Sequence, residues 1–496
     1  VIAFAAGLCL LYLSGLSQRD LWSSHEARAA QNAQYVLEAG RPVVPHLLDG
    51  RIELQKPPVF YWSVAVIAWL RNGRVEAADV RLPSAVAAVA TVLCVMFVGR
   101  RWQGPVLGLA AGAMLATMLH FLWLGRVGRI DMPLTFACTV ALLGYWYAWQ
   151  SGSNIAAAAC YLGLALGMLL KGPIALVLCM AAISGHGVLE LITQTLGRHG
   201  LDASVGKFPL TSLLWGLIPM SVAILGYFWW VDAQAGGQFG RVFFWYHNVA
   251  RGLGEAEELE HHPWWFYLVR MALDLFPWSL LLPLALTKQA RSLWRENALA
   301  RFGLAWFVGM TAFLSCMSFK RADYLLPAYP GAALFLGSVA AQSLTTPQGG
   351  TRKLMLLVGG GALVMAVAWL VFVHWRLPAV EPQRELRTFA TAVRQVVPSP
   401  EPVLLFRIEG HQLLYHLGRP VERVIEWENL DVWLAGKERR FVIMAPEEEA
   451  VWQKHLEAAR LVRVFDNALP DGRNHEQPYV LMTNQPGSLD FSRYEE

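Results

Sequence analysis

The chain has 496 residues, 55% of them hydrophobic and 16% charged, with a formal net charge of +4. A soluble globular protein carries about 25% charged residues, so this composition excludes an ordinary soluble domain, and the small net charge speaks against a nucleic-acid binder. The 21 tryptophans suit a polytopic membrane protein, because Trp collects where the bilayer meets water.

A helix needs about 20 apolar residues to cross the hydrocarbon core. Eleven segments meet that need: residues 1–17, 81–99, 105–124, 132–150, 155–170, 172–192, 209–231, 264–285, 299–317, 324–343 and 354–375. No small-residue cleavage site follows residues 1–16, so they read as a retained first span rather than a leader. In the first loop, residues 26–39 have amphipathic helical spacing, with Ala30, Ala33, Val36 and Leu37 along one side. Residues 59–70 are apolar but short, and Pro57-Pro58 opens them as a helix N-terminus. Both helices are predicted to lie in the membrane surface beside the bundle.

All six cysteines fall in apolar stretches, which predicts neither a disulfide framework nor a cysteine zinc site. Gly359-Gly360-Gly361 lies inside a predicted span and reads as helix packing. No Walker or Rossmann pattern occurs to support nucleotide chemistry. Alternate loops carry Arg100, Arg101, Arg198, Lys207, Lys288, Arg291, Arg295, Arg352 and Lys353, which makes their side cytoplasmic by the positive-inside rule. From residue 378 the pattern changes. Short apolar runs at 403–408, 441–444, 462–465 and 479–482, with an amphipathic helix expected over 447–460, predict a small soluble α/β domain. The expected division is therefore a transmembrane domain over 1–377, with surface helices in 18–70, and an α/β domain over 378–496.

Six charged clusters stand at span ends on the face opposite the cytoplasmic loops. They surround His25-Glu26-Ala27-Arg28, Lys56, Arg129-Ile130-Asp131, Lys171, His261-His262 and Lys320-Arg321-Ala322-Asp323. Ionisable groups at membrane depth are costly, so a convergent set marks a site. Glu26 and Asp131 are the carboxylates nearest the span ends. Either can deprotonate an acceptor, or cap a helix and pair with a neighbour such as Arg129. Lys56, Arg28 and Arg251 are natural ligands for a lipid-linked phosphate, against the alternative of ordinary snorkelling. That alternative weighs more on Lys171, Lys320 and Arg321. His261 and His262 are candidate ligands for a divalent metal, with His25 as a third if the loops meet. The Trp264-Trp265-Phe266-Tyr267 run fits an interfacial aromatic belt.

The ordered set S-H-E-A-R, V-V-P-H, L-Q-K-P-P, R-I-D-M-P-L-T-F, L-L-K-G-P, H-N-V-A-R, H-P-W-W-F-Y-L and D-Y-L-L-P-A-Y-P resembles the lipid A aminoarabinose transferases. It also resembles the wider protein O-mannosyltransferase-like group of GT-C membrane glycosyltransferases. The resemblance runs over residues 10–345. It implies a GT-C-like polytopic α-helical fold with about 11–13 transmembrane helices and a C-terminal soluble α/β domain. It also implies an inverting glycosyltransferase using a polyprenyl-phosphate-linked sugar in a bacterial inner membrane, with its site and α/β domain on the periplasmic face. The acceptor class (lipid, glycan or protein) stays open, as does the sugar.

In the resemblance, Asp131 matches an acidic position of the site. Arg28, Lys56 and Arg251 match phosphate-holding positions; Lys320 and Arg321, by their place at a span end, are further candidate phosphate ligands. Tyr324 matches an aromatic position at the cleft, beside Lys171. The family's first-loop Asp-Glu-x-Arg is His25-Glu26-Ala27-Arg28 here, so Glu26, or else His25, is expected to serve as base. A lipid or lipid-linked-sugar transporter or flippase and a non-catalytic relative are the competing readings. The first predicts ionisable groups at mid-membrane, and the second follows from the His25 departure.

Overall fold

The computed structural model describes residues 2–40, 44–196, 206–250, 262–344, 350–436, 438–457, 460–473 and 475–485. Each of the eleven expected spans coincides with a helical segment, and the chain is a polytopic helical membrane protein. Among the described residues, seven helices are by themselves long and apolar enough to cross a membrane, fewer than expected, because several segments are short or broken. The segment expected over 264–285 divides into Phe266–Asp274 and a 3-10 stretch Trp278–Leu286. Pro277 and Pro283 lack the N–H that a continuous helix needs there. The segment over 105–124 breaks between α5 (Pro105–Ala116) and α6 (Leu119–Leu124). The one over 324–343 opens on a 3-10 turn, Ala322–Ala328, containing Pro327, and still counts among the seven.

The preceding helices are α1 (Ile2–Leu13), α2 (Ser24–Ala39), α3 (Val59–Arg71) and α4 (Ala77–Gln103). The Ser23 side chain caps α2 by accepting from the Glu26 N–H, and Gly40 ends it at φ +60°. Its buried face, with Ala27, Ala30 and Ala33, packs on Phe60, Val64 and Ala68 of α3.

α7 (Asp131–Ser151) and α8 (Asn154–Lys171) form an antiparallel hairpin through Gly152 and Ser153. Gly144 and Gly163 let the two backbones touch: a Cβ on Gly163 would lie 2.5 Å from the Ala141 nitrogen. The two helices have nearly equal lengths, so the N-terminus of α7 and the C-terminus of α8 meet at one end of the bundle. Asp131 suits the positive end of α7, and Lys171 the negative end of α8. α9 (Pro173–Leu196) continues from there.

The C-terminal region holds a five-stranded mixed sheet in the order β2-β1-β3-β5-β4. Its strands are β1 (Val403–Phe406), β2 (Glu422–Val424), β3 (Phe441–Met444), β4 (Val462–Asp466) and β5 (Val480–Thr483). β1 runs parallel to β2 and β3, whereas β5 is antiparallel to β3 and β4. Short, polar β2 was not visible as an apolar run. The helix expected over 447–460 is absent. Only Pro446–Glu449 and a 3-10 turn Trp452–Lys454 form, because Trp452 is drawn into the core and His455 stacks on Trp427 at 4.7 Å.

The helix His411–Leu417 seats this region on α2. His416 and Gln412 each donate to Asp20 at 2.8 Å, and Gln31 donates to the His411 carbonyl at 2.8 Å. Burial pushes the Asp20 carboxyl up, but His416 and Gln412 outweigh it and hold the group well below the usual carboxylate range.

Candidate active site

A cavity of about 80 Å3 opens where the first loop meets the ends of α7 and α8. Seven of the expected residues line it: His25, Arg28, Lys56, Asp131, Lys171, Arg321 and Tyr324. Lys171 Nζ donates to Asp131 Oδ1 at 2.6 Å and lies over the Tyr324 ring at 4.5 Å. Arg129 Nε is 3.2 Å from Asp131 Oδ2, and its terminal nitrogen is 2.7 Å from Asp323. Arg28 pairs with buried Glu53, which fixes its planar fork at the cavity wall. The lining thus carries five cations (Arg28, Lys56, Arg129, Lys171 and Arg321) and one carboxylate, Asp131. Such a cavity attracts a polyanion.

His25 stands among these cations, 3.5 Å from Arg321. Burial, with the charges of Arg129 and Arg321, pushes its pKa down to about 3. The imidazole is neutral at physiological pH, and so low a pKa makes it a weak proton acceptor.

Glu26, the next residue of α2, is fully buried and is not among the residues lining the cavity. Arg81 Nε donates to it at 2.7 Å, Arg19 at 3.0 Å and the Gly128 N–H at 3.0 Å. Burial raises its pKa, yet Arg19 and Arg81 prevail and hold it at about 2. Both oxygens of Glu26, the residue expected to serve as base, accept from the Arg19 and Arg81 guanidinium groups, and Glu26 is not among the cavity-lining residues. Gly128 is required there: a Cβ would come within 2.3 Å of Val80 Cγ1.

Lys320 also departs from expectation. Its buried ammonium turns to the backbone carbonyls of His262 and Met317, outside the cavity. Arg251 and His261 lie outside the described residues. The His262 ring stacks on Phe266 at 4.4 Å. Among the described residues, no group of three or more His, Cys, Asp or Glu side chains is placed to hold a metal. All six cysteines are free.

Several residues beneath the site were missed by sequence reasoning. Glu53 and Arg81 support Arg28 and Glu26, and His120 lies 3.5 Å from Asp323 and 2.9 Å from the Tyr329 hydroxyl. The available signal was position: Arg81 opens the predicted span 81–99, and His120 is an ionisable group within the otherwise apolar span 105–124.

A second cavity of about 380 Å3 adjoins the first through Arg28 and Gln55, and His411 lines it. Burial, then the charges of Arg28 and Arg423, lowers the His411 pKa to about 4. In the unfolded chain that pKa is about 6.5. The His411 contribution to stability is therefore complete above about pH 6.5 and falls as pH drops towards 4, by about 2 kcal/mol at pH 5. Thermal unfolding in detergent should show this loss between pH 7.5 and 5, and His411→Gln should flatten the slope. Identical slopes would remove His411 as the source.

Residues 55–224 match the family described as dolichyl-phosphate-mannose-protein mannosyltransferase. An undecaprenyl phosphate-alpha-4-amino-4-deoxy-L-arabinose arabinosyl transferase of Pseudomonas aeruginosa is 30% identical over 380 residues, 75% of this chain and 65% of that one. The equivalent protein of an Enterobacter species is 28% identical over 382 residues, 74% of this chain and 64% of its own. The chain thus spans just under two thirds of the length of these curated relatives. In fold, ArnT from Cupriavidus metallidurans, solved with bound undecaprenyl phosphate, superposes with a TM-score of 0.77 at 15% identity over 98% of both chains. An oligosaccharyltransferase of Archaeoglobus fulgidus gives 0.57 at 13% identity over 91% of this chain and 70% of its own. With this ordered match and this fold, the chain is homologous to the undecaprenyl-phosphate aminoarabinose transferases and has the ArnT-like GT-C fold.

Proposed function

We propose that the chain transfers a sugar, of the aminopentose class handled by its relatives, from undecaprenyl phosphate to a glycolipid acceptor of the lipid A type. The reaction would take place at the periplasmic face, where the transmembrane domain (1–377) meets an extracytoplasmic α/β domain (378–496). The observation that carries this reading is the cavity of five cations and a single carboxylate at one end of the bundle. Arg28, Lys56 and Arg321 hold the donor phosphate and stabilise the charge it gains on leaving. Asp131 orients Lys171 and Arg129 around it, and Tyr324 flanks the sugar.

The absence of a strong base from the lining described above suits an acceptor that is already anionic. An acceptor phosphate oxygen attacks the anomeric carbon, and the carbon–oxygen bond to the carrier phosphate breaks with its electron pair. A dianionic phosphate monoester and a monoanionic donor diester become a monoanionic product diester and dianionic polyprenyl phosphate, so no proton changes hands.

The test is sugar release and transfer from synthetic undecaprenyl-phosphate aminoarabinose in detergent, with lipid A as acceptor. The parent should turn over. Lys56→Ala should lose about 10–100-fold in kcat/KM for the donor, while His25→Ala keeps most of the activity. Movement of labelled carrier lipid across liposomes by the parent without sugar release would replace the transferase reading with a flippase.

A further inference from the structure

The reaction cavity, at about 80 Å3, cannot enclose a glycolipid headgroup, since ligand sites usually span about 300–1,000 Å3. The second cavity, which shares Arg28 and Gln55 with it, shares Arg51, Glu409 and Arg423 with a much larger cleft of about 1190 Å3. The three openings therefore form a line from the reacting centre to the C-terminal sheet. The cleft runs along edge strand β2, walled by residues 49 and 51 of the first loop and by the segments flanking β1.

Two observations mark this cleft as built to hold something. Among the described residues, Arg419 leaves Nε and one terminal nitrogen buried without a hydrogen-bond partner, Arg423 leaves Nε so, and Glu401 one carboxylate oxygen. Orphaned buried polar atoms are rare and call for a ligand. Arg407, directly after β1, has φ +55°, the one positive φ outside glycine among the described residues. That conformation costs about 1–2 kcal/mol. It is held by the Arg407 N–H donating to Val424 and Nε donating to the Ile425 carbonyl at 2.7 Å. Strain retained at a cleft wall points to use.

The lining also decides the ligand's chemistry. It offers unpaired donors on Arg419 beside an unpaired acceptor on Glu401, while Arg423 Nε lies 3.7 Å from Asp49 without a hydrogen bond. A phosphate would satisfy the guanidinium groups but be repelled by Glu401. A hydroxyl both donates and accepts. We propose that this cleft docks the acceptor through its carbohydrate hydroxyls, outside the reaction cavity, so that its reactive group reaches Asp131 and Lys171 through the shared wall. The inference rests on the transferase reading.

The test measures labelled-sugar transfer by the full chain to total glycolipid extracted from Pseudomonas aeruginosa envelopes, alongside acceptor-free donor hydrolysis. Arg419→Met and Glu401→Gln should each raise the apparent KM for the extract at least ten-fold and leave hydrolysis within two-fold of the parent. Unchanged KM in both variants would overturn the inference. Tighter acceptor binding in Glu401→Gln would overturn it in favour of an anion site. A parent that hydrolyses donor but transfers to nothing in the extract would instead overturn the glycolipid-transferase reading, and the docking cleft with it.

Discussion

Asp131→Asn is expected to lower sugar transfer and donor hydrolysis together by about 10²–10³-fold, the range seen when one group of a preorganised electrostatic site is removed. Asp131 holds Lys171 at 2.6 Å and Arg129 at 3.2 Å, and these are two of the five cations at the cavity. Neutralising it leaves Lys171 without its carboxylate and frees both cations from the positions that meet the departing phosphate. Lys171→Met in the same background separates positioning from proton transfer. If Asp131 acts by placing Lys171, the double variant should be no worse than the poorer single variant, because the pair works as a unit. A proton acceptor would instead lose activity independently of Lys171, and the acid limb of the pH–rate profile would vanish with it. Additive losses and a vanished acid limb would return Asp131 to the role of base. Near-parental turnover in Asp131→Asn would remove it from the machinery altogether.

The site was legible in the sequence because charges at the ends of apolar segments are few. Asp131, Lys171, Arg321 and Tyr324 all stand at such ends, and helix lengths alone bring the first two together. The sidedness of a surface helix was harder to read. His25 and Glu26 are adjacent on α2, about 100° apart around its axis, and only packing decides which one faces the cavity. Sequence reasoning put Glu26 ahead of His25 as base from its place in the first-loop motif. The structure turns Glu26 inward because Arg81, the charge that opens the predicted span 81–99, waits there with Arg19. Arg81 also donates to the carbonyls of Leu16, Arg19 and Asp20, so one side chain fixes the entry to the first loop. Breaks in the helices were partly written in Pro277, Pro283 and Pro327. The loss of the helix expected over 447–460 was not, because it follows from where Trp452 and His455 find partners in the fold.

Glu26→Ala should therefore behave as a stability variant, losing about 3–5 kcal/mol, the usual penalty for stripping the partner from a buried ion pair. The change strands two guanidinium groups in an interior where Arg81 is completely buried and Arg19 nearly so. It also leaves the Gly128 N–H without its acceptor. Unfolding midpoints in detergent measure the loss directly, and limited proteolysis should find new cleavage in the first loop. Arg19→Met combined with Glu26→Gln removes one of the two stranded charges and keeps an oxygen for Gly128. That double variant should recover part of the lost stability, and activity should return in proportion. The opposite pattern is decisive in the other direction. A Glu26→Gln enzyme that unfolds like the parent yet releases no sugar would make Glu26 the proton acceptor after all, reached through a movement of α2 that brings its carboxylate to the cavity.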